Sequence, residues 1–236
     1  YHQQNAGKRN ICADLREPAA IAVIEALVKE ADIVIENYRP DVMDRLGLGY
    51  EHLKDINPRI IMLSISGFGH GGPESRRPAY APVIHAEAGL IHRSASEAAN
   101  ADRGRHYQDL PLSVADTNAS LHGLVGLLAA VIHRQTTGKG QHIDIAMIDA
   151  TTATDDKIHY DLEASWETAP LRNEIYDLPH GPVLLSTDFR LLFKRLVELG
   201  YIEDPSASSD SFDEKVAKRR EAAEAFLQSL KTEAAF

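Results

Sequence analysis

A single carboxylate, Asp116, stands in the run Ser113-Val114-Ala115-Asp116-Thr117-Asn118 just ahead of a long apolar pattern. Leu121, Leu124, Val125, Leu127, Leu128, Val131 and Ile132 recur at helical spacing, which predicts a helix that buries this stripe. Two roles are open to a carboxylate at such a place. In the first, Asp116 or Thr117 is the helix N-cap, its side-chain oxygen accepting a backbone N–H of the first turn. In the second, Asp116 is kept ionised by the positive end of the helix and acts as a nucleophile. A second feature is Gly67, Gly69 and Gly72, which repeat the spacing of a dinucleotide fingerprint after a strand pattern. Pro73 and Pro78 bracket the adjoining polar loop, so no helix opens there and nicotinamide binding is not expected. A glycine-rich loop leading into Arg76 and Arg77 instead lets backbone N–H groups and guanidinium forks approach phosphates.

Other chemistries find little support. The 11 histidines include no pair at i, i+4 beside a carboxylate, and the single cysteine, Cys12, leaves no zinc pattern, so no metal site is expected. His85, His122 and His133 fall in helical patterns and are expected to pack or cap. No Gly-x-Ser-x-Gly elbow is present.

The elements that must position these residues are given by periodicity. Residues 8–15 alternate as a short strand, and Pro18 opens a helix through Ile21, Ile24, Leu27, Val28 and Ala31. Ile33-Val34-Ile35 is an apolar strand, residues 41–56 a helix broken at Gly47-Leu48-Gly49, and Ile60 to Ile65 a second buried strand. Strand, helix, strand implies a doubly wound, Rossmann-like parallel α/β sheet, with ligands beyond the carboxyl ends at Glu36 to Pro40 and Ser66 to Gly69. Gln141 to Ala146 is a further strand and residues 147–160 a helix. Periodicity fails from 163 to 179; beyond it come a short strand at Val183-Leu184-Leu185, a helix at 189–199 and a charged helix at 212–230. The expected division is a large α/β domain over 1–162 and a partial, mostly helical second region over 163–236. A net charge of -10 argues against a nucleic-acid surface. One cysteine, no uninterrupted run of eighteen apolar residues and no signal-peptide pattern point to a cytoplasmic chain without membrane spans.

Several short motifs occur in one order: Glu36-Asn37-Tyr38-Arg39-Pro40, Asp44-Arg45-Leu46-Gly47, Asn57-Pro58-Arg59, Ser64-Ile65-Ser66-Gly67-Phe68-Gly69, Arg77-Pro78-Ala79-Tyr80, Ala115-Asp116 and Thr137-Gly138-Lys139-Gly140-Gln141. As a series over residues 5–149 they resemble the family III CoA-transferases, of which 2-methylacyl-CoA racemase is a branch. The resemblance implies transfer of coenzyme A between an acyl-CoA and a small carboxylic acid through an aspartyl anhydride and an aspartyl-CoA thioester. It requires no cofactor beyond coenzyme A as substrate, and it implies a homodimer. It places the nucleophile at Asp116, the CoA contacts at Asn37, Tyr38 and Arg45, and Tyr80 near the nucleophile; Arg77, on its glycine-rich loop, is expected to join them. Two residues keep a plainer alternative: Arg45 as an i, i+4 partner of Asp41, and Tyr80 as a core aromatic.

The chain also departs from the family. Racemases carry histidine where Tyr80 stands, which favours the transferase. Ala81 replaces an acidic helper, and no glycine-rich covering loop comes after Asp149. Relative to the family the chain is expected to be truncated at both ends, with little turnover alone; a catalytically inactive member is the further alternative.

Overall fold

The computed structural model describes residues 5–98, 107–155, 173–186 and 189–232. Two compact units divide the chain, Tyr1–Ile158 and His159–Phe236. The break expected between 162 and 163 lies outside the described residues.

In the first unit the β-branched runs form three parallel strands, β1 (Ile33–Glu36), β2 (Ile61–Ser66) and β3 (His142–Ala146), in the order β1-β2-β3. The register pairs Glu36 with Ser64 and Ser64 with Asp144, so all three carboxyl ends lie along one edge. Alternation sends the strand residues to two faces. On one, Val34 and Met62 meet Val28, Leu48 and Leu53 from α1 (Pro18–Val28), α3 (Tyr50–Ile56) and the turn ahead of α3. On the other, Ile33, Ile61, Leu63, Ile143 and Ile145 meet a long helix. Helices therefore cover both faces of a parallel sheet, as a doubly wound α/β fold requires. The break at Gly47-Leu48-Gly49 separates α2 (Val42–Arg45) from α3, and beyond β2 come α4 (Ala81–Glu87) and α5 (Leu90–Ala98).

The long helix, α6 (Val114–Thr137), overturns most of the expected buried stripe, keeping only Leu127 and Val131 on the core. Leu121, Leu124, Val125, Leu128 and Ile132 are each at least 50% exposed, while Ala115, Ala119, Leu127 and Ala130 are buried. The cause is the crowding of the sheet by its own large side chains. A Cβ on Gly123 would lie 3.1 Å from Leu63 Cδ2 and one on Gly126 3.1 Å from Ile143 Cγ2, so the face that carries these two glycines comes closest, with Leu127 and Ala130 packed beside them. By length and composition α6 is apolar enough to cross a membrane; its small face lies on the sheet.

Two further expectations fail in this unit. Residues 8–13 form no strand, because no neighbouring ladder receives them; Ile11 stays 62% exposed. The helix after β3, α7, runs Met147–Ala153 and ends in a turn at Thr154; the expected continuation over 156–160 lies outside the described residues.

The second unit holds an antiparallel hairpin of β4 (Asn173–Leu178) and β5 (Gly181–Ser186), turned by Pro179 and His180. The described part of the stretch read as aperiodic is thus a strand, its partner supplied by the hairpin. Helices α8 (Phe189–Glu198) and α9 (Phe212–Ser229) bury Phe193, Leu196 and Ala223 between them. A capping box opens α9: Ser211 Oγ accepts the Glu214 N–H, and Glu214 accepts the Ser211 N–H. Asp204 pairs with Arg219 at 2.7 Å, and the guanidinium draws its carboxyl down to about 2. The Gln228 side-chain amide donates to the Asp177 carbonyl, tying α9 to the hairpin.

Candidate active site

The turn from α6 to β3 spans four residues, so the helix must return antiparallel to the strand. At about 1.5 Å per helical residue against 3.3 Å per strand residue, a helix of 24 residues overshoots a strand of 5 by roughly 20 Å. The start of α6 therefore rises past the carboxyl edge of the sheet. There Ala115 and Ala119 pack with Ala81 and Ile84 of α4 and Met147 and Ala150 of α7. Asn118 Nδ2 donates to Thr154 Oγ1 at 2.8 Å, fixing the first turn against the end of α7.

Asp116 is exposed at the third helical position. Neither Asp116 nor Thr117 is the N-cap; Ser113 is, and its side chain makes no capping bond. The capping bond comes from elsewhere. The Ala115 N–H donates to Nε2 of His85 at 3.2 Å, and His85 Nδ1 lies 2.7 Å from Asp109 Oδ1. Because a backbone N–H can only donate, Nε2 must carry the lone pair and Nδ1 the hydrogen given to Asp109. His85 is fully buried, and its hydrogen bond holds the Asp109 carboxyl below the usual carboxylate range. Among the described residues the Asp116 carboxylate has no hydrogen-bond or ion-pair partner.

Tyr80, 76% exposed, precedes α4 and caps it with its carbonyl, which accepts the Val83 and Ile84 N–H groups. It is no core aromatic. Its approach to the strand end depends on Gly67, where a Cβ would sit 2.1 Å from Cβ of Ala79. The turn after Gly67 is pinned by Asp144, which accepts both the backbone N–H of His70, at 2.9 Å, and a bond from its ring Nδ1. Beside it Ser64 Oγ bonds His142 Nε2 at 2.8 Å; burial, then the neighbouring His70, pushes the His142 imidazole below its ordinary value.

At the end of β1 the buried Glu36 accepts the Tyr38 N–H at 2.7 Å, a local turn that leaves Asn37 and Tyr38 facing outward. Arg45 ends α2. The Asp41 carboxylate pairs with Arg76 at 3.1 Å, and Arg45 has no carboxylate partner among the described residues. Arg45 instead lines an open groove of about 390 Å³ together with the apolar Leu15, Pro18, Ile21 and Leu46 and the charged Arg16 and Glu25. Arg77 is committed otherwise: Glu87 and Glu74 hold its fork, and it stacks over Phe68 at 4.6 Å. No group of three His, Cys, Asp or Glu side chains suited to a metal occurs among the described residues.

Of the residues that sequence reading singled out, Asn37 and Tyr38 follow the end of β1, Arg45 ends α2, Tyr80 precedes α4 and Asp116 stands in the first turn of α6, whereas Arg77 is held by Glu74 and Glu87. It did not select Asp109 or Arg16, and it left His85 without a target. No spacing rule links positions 85, 109 and 115, since their contact is made by packing of α4 against α6 and the segment ahead of it.

The fold and this edge define an α/β protein that presents an unpartnered carboxylate at the start of α6, with a separate groove lined by Arg45 between α1 and α2. The chain belongs to CoA-transferase family III, whose sequence model it matches over residues 1–235. It is 33% identical over 155 residues to the succinyl-CoA–L-malate CoA-transferase beta subunit of Chloroflexus aurantiacus, covering 66% of this chain and 37% of that one. It is 36% identical over 150 residues to formyl-CoA:oxalate CoA-transferase of Escherichia coli, covering 62% and 34%. A CAIB/BAIF family protein from Brucella suis superposes with a TM-score of 0.68 at 27% identity, over 94% of this chain and 61% of that structure. The chain thus spans little more than a third of the length of these curated relatives.

Proposed function

We propose that this chain carries the nucleophile and part of the CoA site of an acyl-CoA:carboxylate CoA-transferase. An Asp116 oxygen attacks the thioester carbonyl, the C–S bond breaks and CoA leaves as thiolate. The thiolate then attacks the aspartyl carbonyl of the mixed anhydride, releasing the donor acid and forming an aspartyl-CoA thioester. The acceptor carboxylate displaces CoA from that thioester, and the thiolate attacks the new acyl group, restoring Asp116. Every bond broken is matched by one formed, with no water or redox equivalent consumed. One observation carries this reading: Asp116 sits in the first turn of α6 with no structural duty, because His85 does the capping. The racemase alternative is not favoured. Tyr80 stands where a histidine would be needed, and both ring nitrogens of His85 are occupied.

Mixing the full-length protein with acyl-CoA, then intact-mass analysis and hydroxylamine cleavage, tests the reading. An acyl or CoA adduct mapping to Asp116 is expected; turnover without one would remove the covalent route.

The groove lined by Arg45 suits a nucleotide, its apolar residues meeting the base and the guanidinium, rather than Glu25, meeting phosphate. Arg45→Ala is expected to weaken CoA binding by about 1.5 to 3 kcal/mol, the range for a hydrogen bond to a charged group. Calorimetric titration with CoA checks it, and an unchanged Kd would return Arg45 to the solvated surface.

The exposed stripe of α6 supports a homodimer. Leu121, Val125, Leu128 and Ile132 follow a 4-3-4 spacing, the seam a second helix covers. The double variant Val125→Glu, Leu128→Glu should sediment as a monomer while the parent is a dimer, and its unfolding midpoint should lose the concentration dependence of the parent. A monomeric parent would remove the pairing.

A further inference from the structure

We propose that His85 and Asp109 together form a positioning device for Asp116, setting the height and direction of the first turn of α6. This rests on the reading of Asp116 as the nucleophile.

A helix N-terminus has four N–H groups without intrahelical partners, and the first turn frays unless something accepts them. Here the usual acceptor is missing: Ser113 holds the N-cap position without a side-chain bond. Thr117 Oγ1 turns back to the Ser113 carbonyl at 3.1 Å, so it accepts no first-turn N–H in the usual manner. The Val114 N–H takes the Leu112 carbonyl at 2.9 Å. The Ala115 N–H, adjacent in the chain to Asp116, goes to an imidazole 30 residues away on another helix.

A side-chain cap from within the helix moves with the helix, whereas His85 is embedded in α4 with 0% exposure and cannot accompany a fraying turn. The Ala115–Nε2 bond thereby fixes the start of α6 in the frame of α4, the element that also carries Tyr80 at its entrance. Asp109, just ahead of α6, completes the arrangement. By accepting from Nδ1 it selects the tautomer whose Nε2 can accept, and it orients the ring. Remove Asp109 and the imidazole is free to adopt the other tautomer, which presents a second N–H to the Ala115 N–H. Nucleophilic attack depends on placement at the ångström level, and a displacement of about 1 Å can lower the rate about 100-fold. Neither His85 nor Asp109 touches the reacting atoms in this scheme.

The test compares His85→Ala, His85→Gln and Asp109→Ala in the full-length protein, with steady-state CoA transfer and the yield of Asp116 adduct as readouts. A glutamine amide can accept from the Ala115 N–H and donate to Asp109, as the neutral imidazole does. The expected result is a kcat about 10- to 100-fold lower for His85→Ala and Asp109→Ala, with KM for acyl-CoA within about threefold. His85→Gln should recover kcat to within about threefold of the parent. A parental kcat in Asp109→Ala, or a His85→Gln no better than His85→Ala, overturns the proposal. Should His85→Ala fail to fold, the exposed Asp109→Ala and the conservative His85→Gln decide alone. Failure of the parent protein to form any adduct or to turn over is a different result: it sinks the transferase reading, and this inference with it.

Discussion

Asp116→Asn abolishes CoA transfer and leaves the fold standing: this is the expected outcome with the largest catalytic effect. An amide nearly preserves the shape of the carboxylate but is a far weaker nucleophile, so turnover should fall on the order of 10³-fold or more. The structural loss is small, because Asp116 is exposed and makes no capping bond. Removing a negative charge from the first turn of a helix costs only about 0.3 to 1 kcal/mol. Thermal unfolding monitored by circular dichroism should accordingly move little. Transfer rates from an acyl-CoA to a panel of carboxylic acids then decide the matter. A variant that retains a tenth or more of parental turnover would show that Asp116 is not the attacking group.

The largest effect on the fold is expected from Gly140→Ala. Gly140 closes the turn between α6 and β3, donating its N–H to the Pro58 carbonyl at 2.9 Å. A Cβ there would lie 1.8 Å from the Ile60 carbonyl oxygen and 2.5 Å from its carbon. Those are backbone atoms leading into the central strand, so no side-chain rotation relieves the clash. Either β3 moves away from β2 or the chain before β2 shifts; the cost should reach about 3 kcal/mol, the upper part of the range for overpacking. Urea denaturation monitored by far-ultraviolet circular dichroism gives the number. Because the same turn sets where α6 begins, CoA transfer should fall with stability. A loss under about 0.5 kcal/mol would mean that the two segments do not approach so closely.

Much of the framework was open to a reader of the chain. The three strands of the sheet announce themselves as β-branched runs, and the break at Gly47-Leu48-Gly49 divides α2 from α3 because glycines interrupt the helical pattern. Parallel strands need crossovers, so strand ends and loops near Asn37, Tyr38 and Gly67 were placed on one edge by connectivity alone. The series of motifs singled out Asp116 as a nucleophile when its local pattern, read alone, favoured a cap.

What only the packed molecule decided concerns faces and partners. Periodicity shows that residues 114–137 form a helix, yet α6 has two apolar faces. Leucine and isoleucine dominate any hydrophobic pattern, whereas Leu63 and Ile143 on the sheet leave room only for glycine at 123 and 126, and the face that carries these two also buries Leu127 and Ala130. Steric fit between two particular surfaces chose the small face, and no window on a single helix contains the other surface. The same holds for charge. Asp41 and Arg45 stand four residues apart and read as a pair, but Asp41 is taken by Arg76 from a loop after β2, which releases the Arg45 fork. The cap of α6 was likewise out of reach, because a buried imidazole on α4, held in one tautomer by Asp109, replaces the local hydroxyl that helix rules search for. Residues distant in the chain made each of these choices, and it is their contact that leaves the carboxylate of Asp116 unengaged.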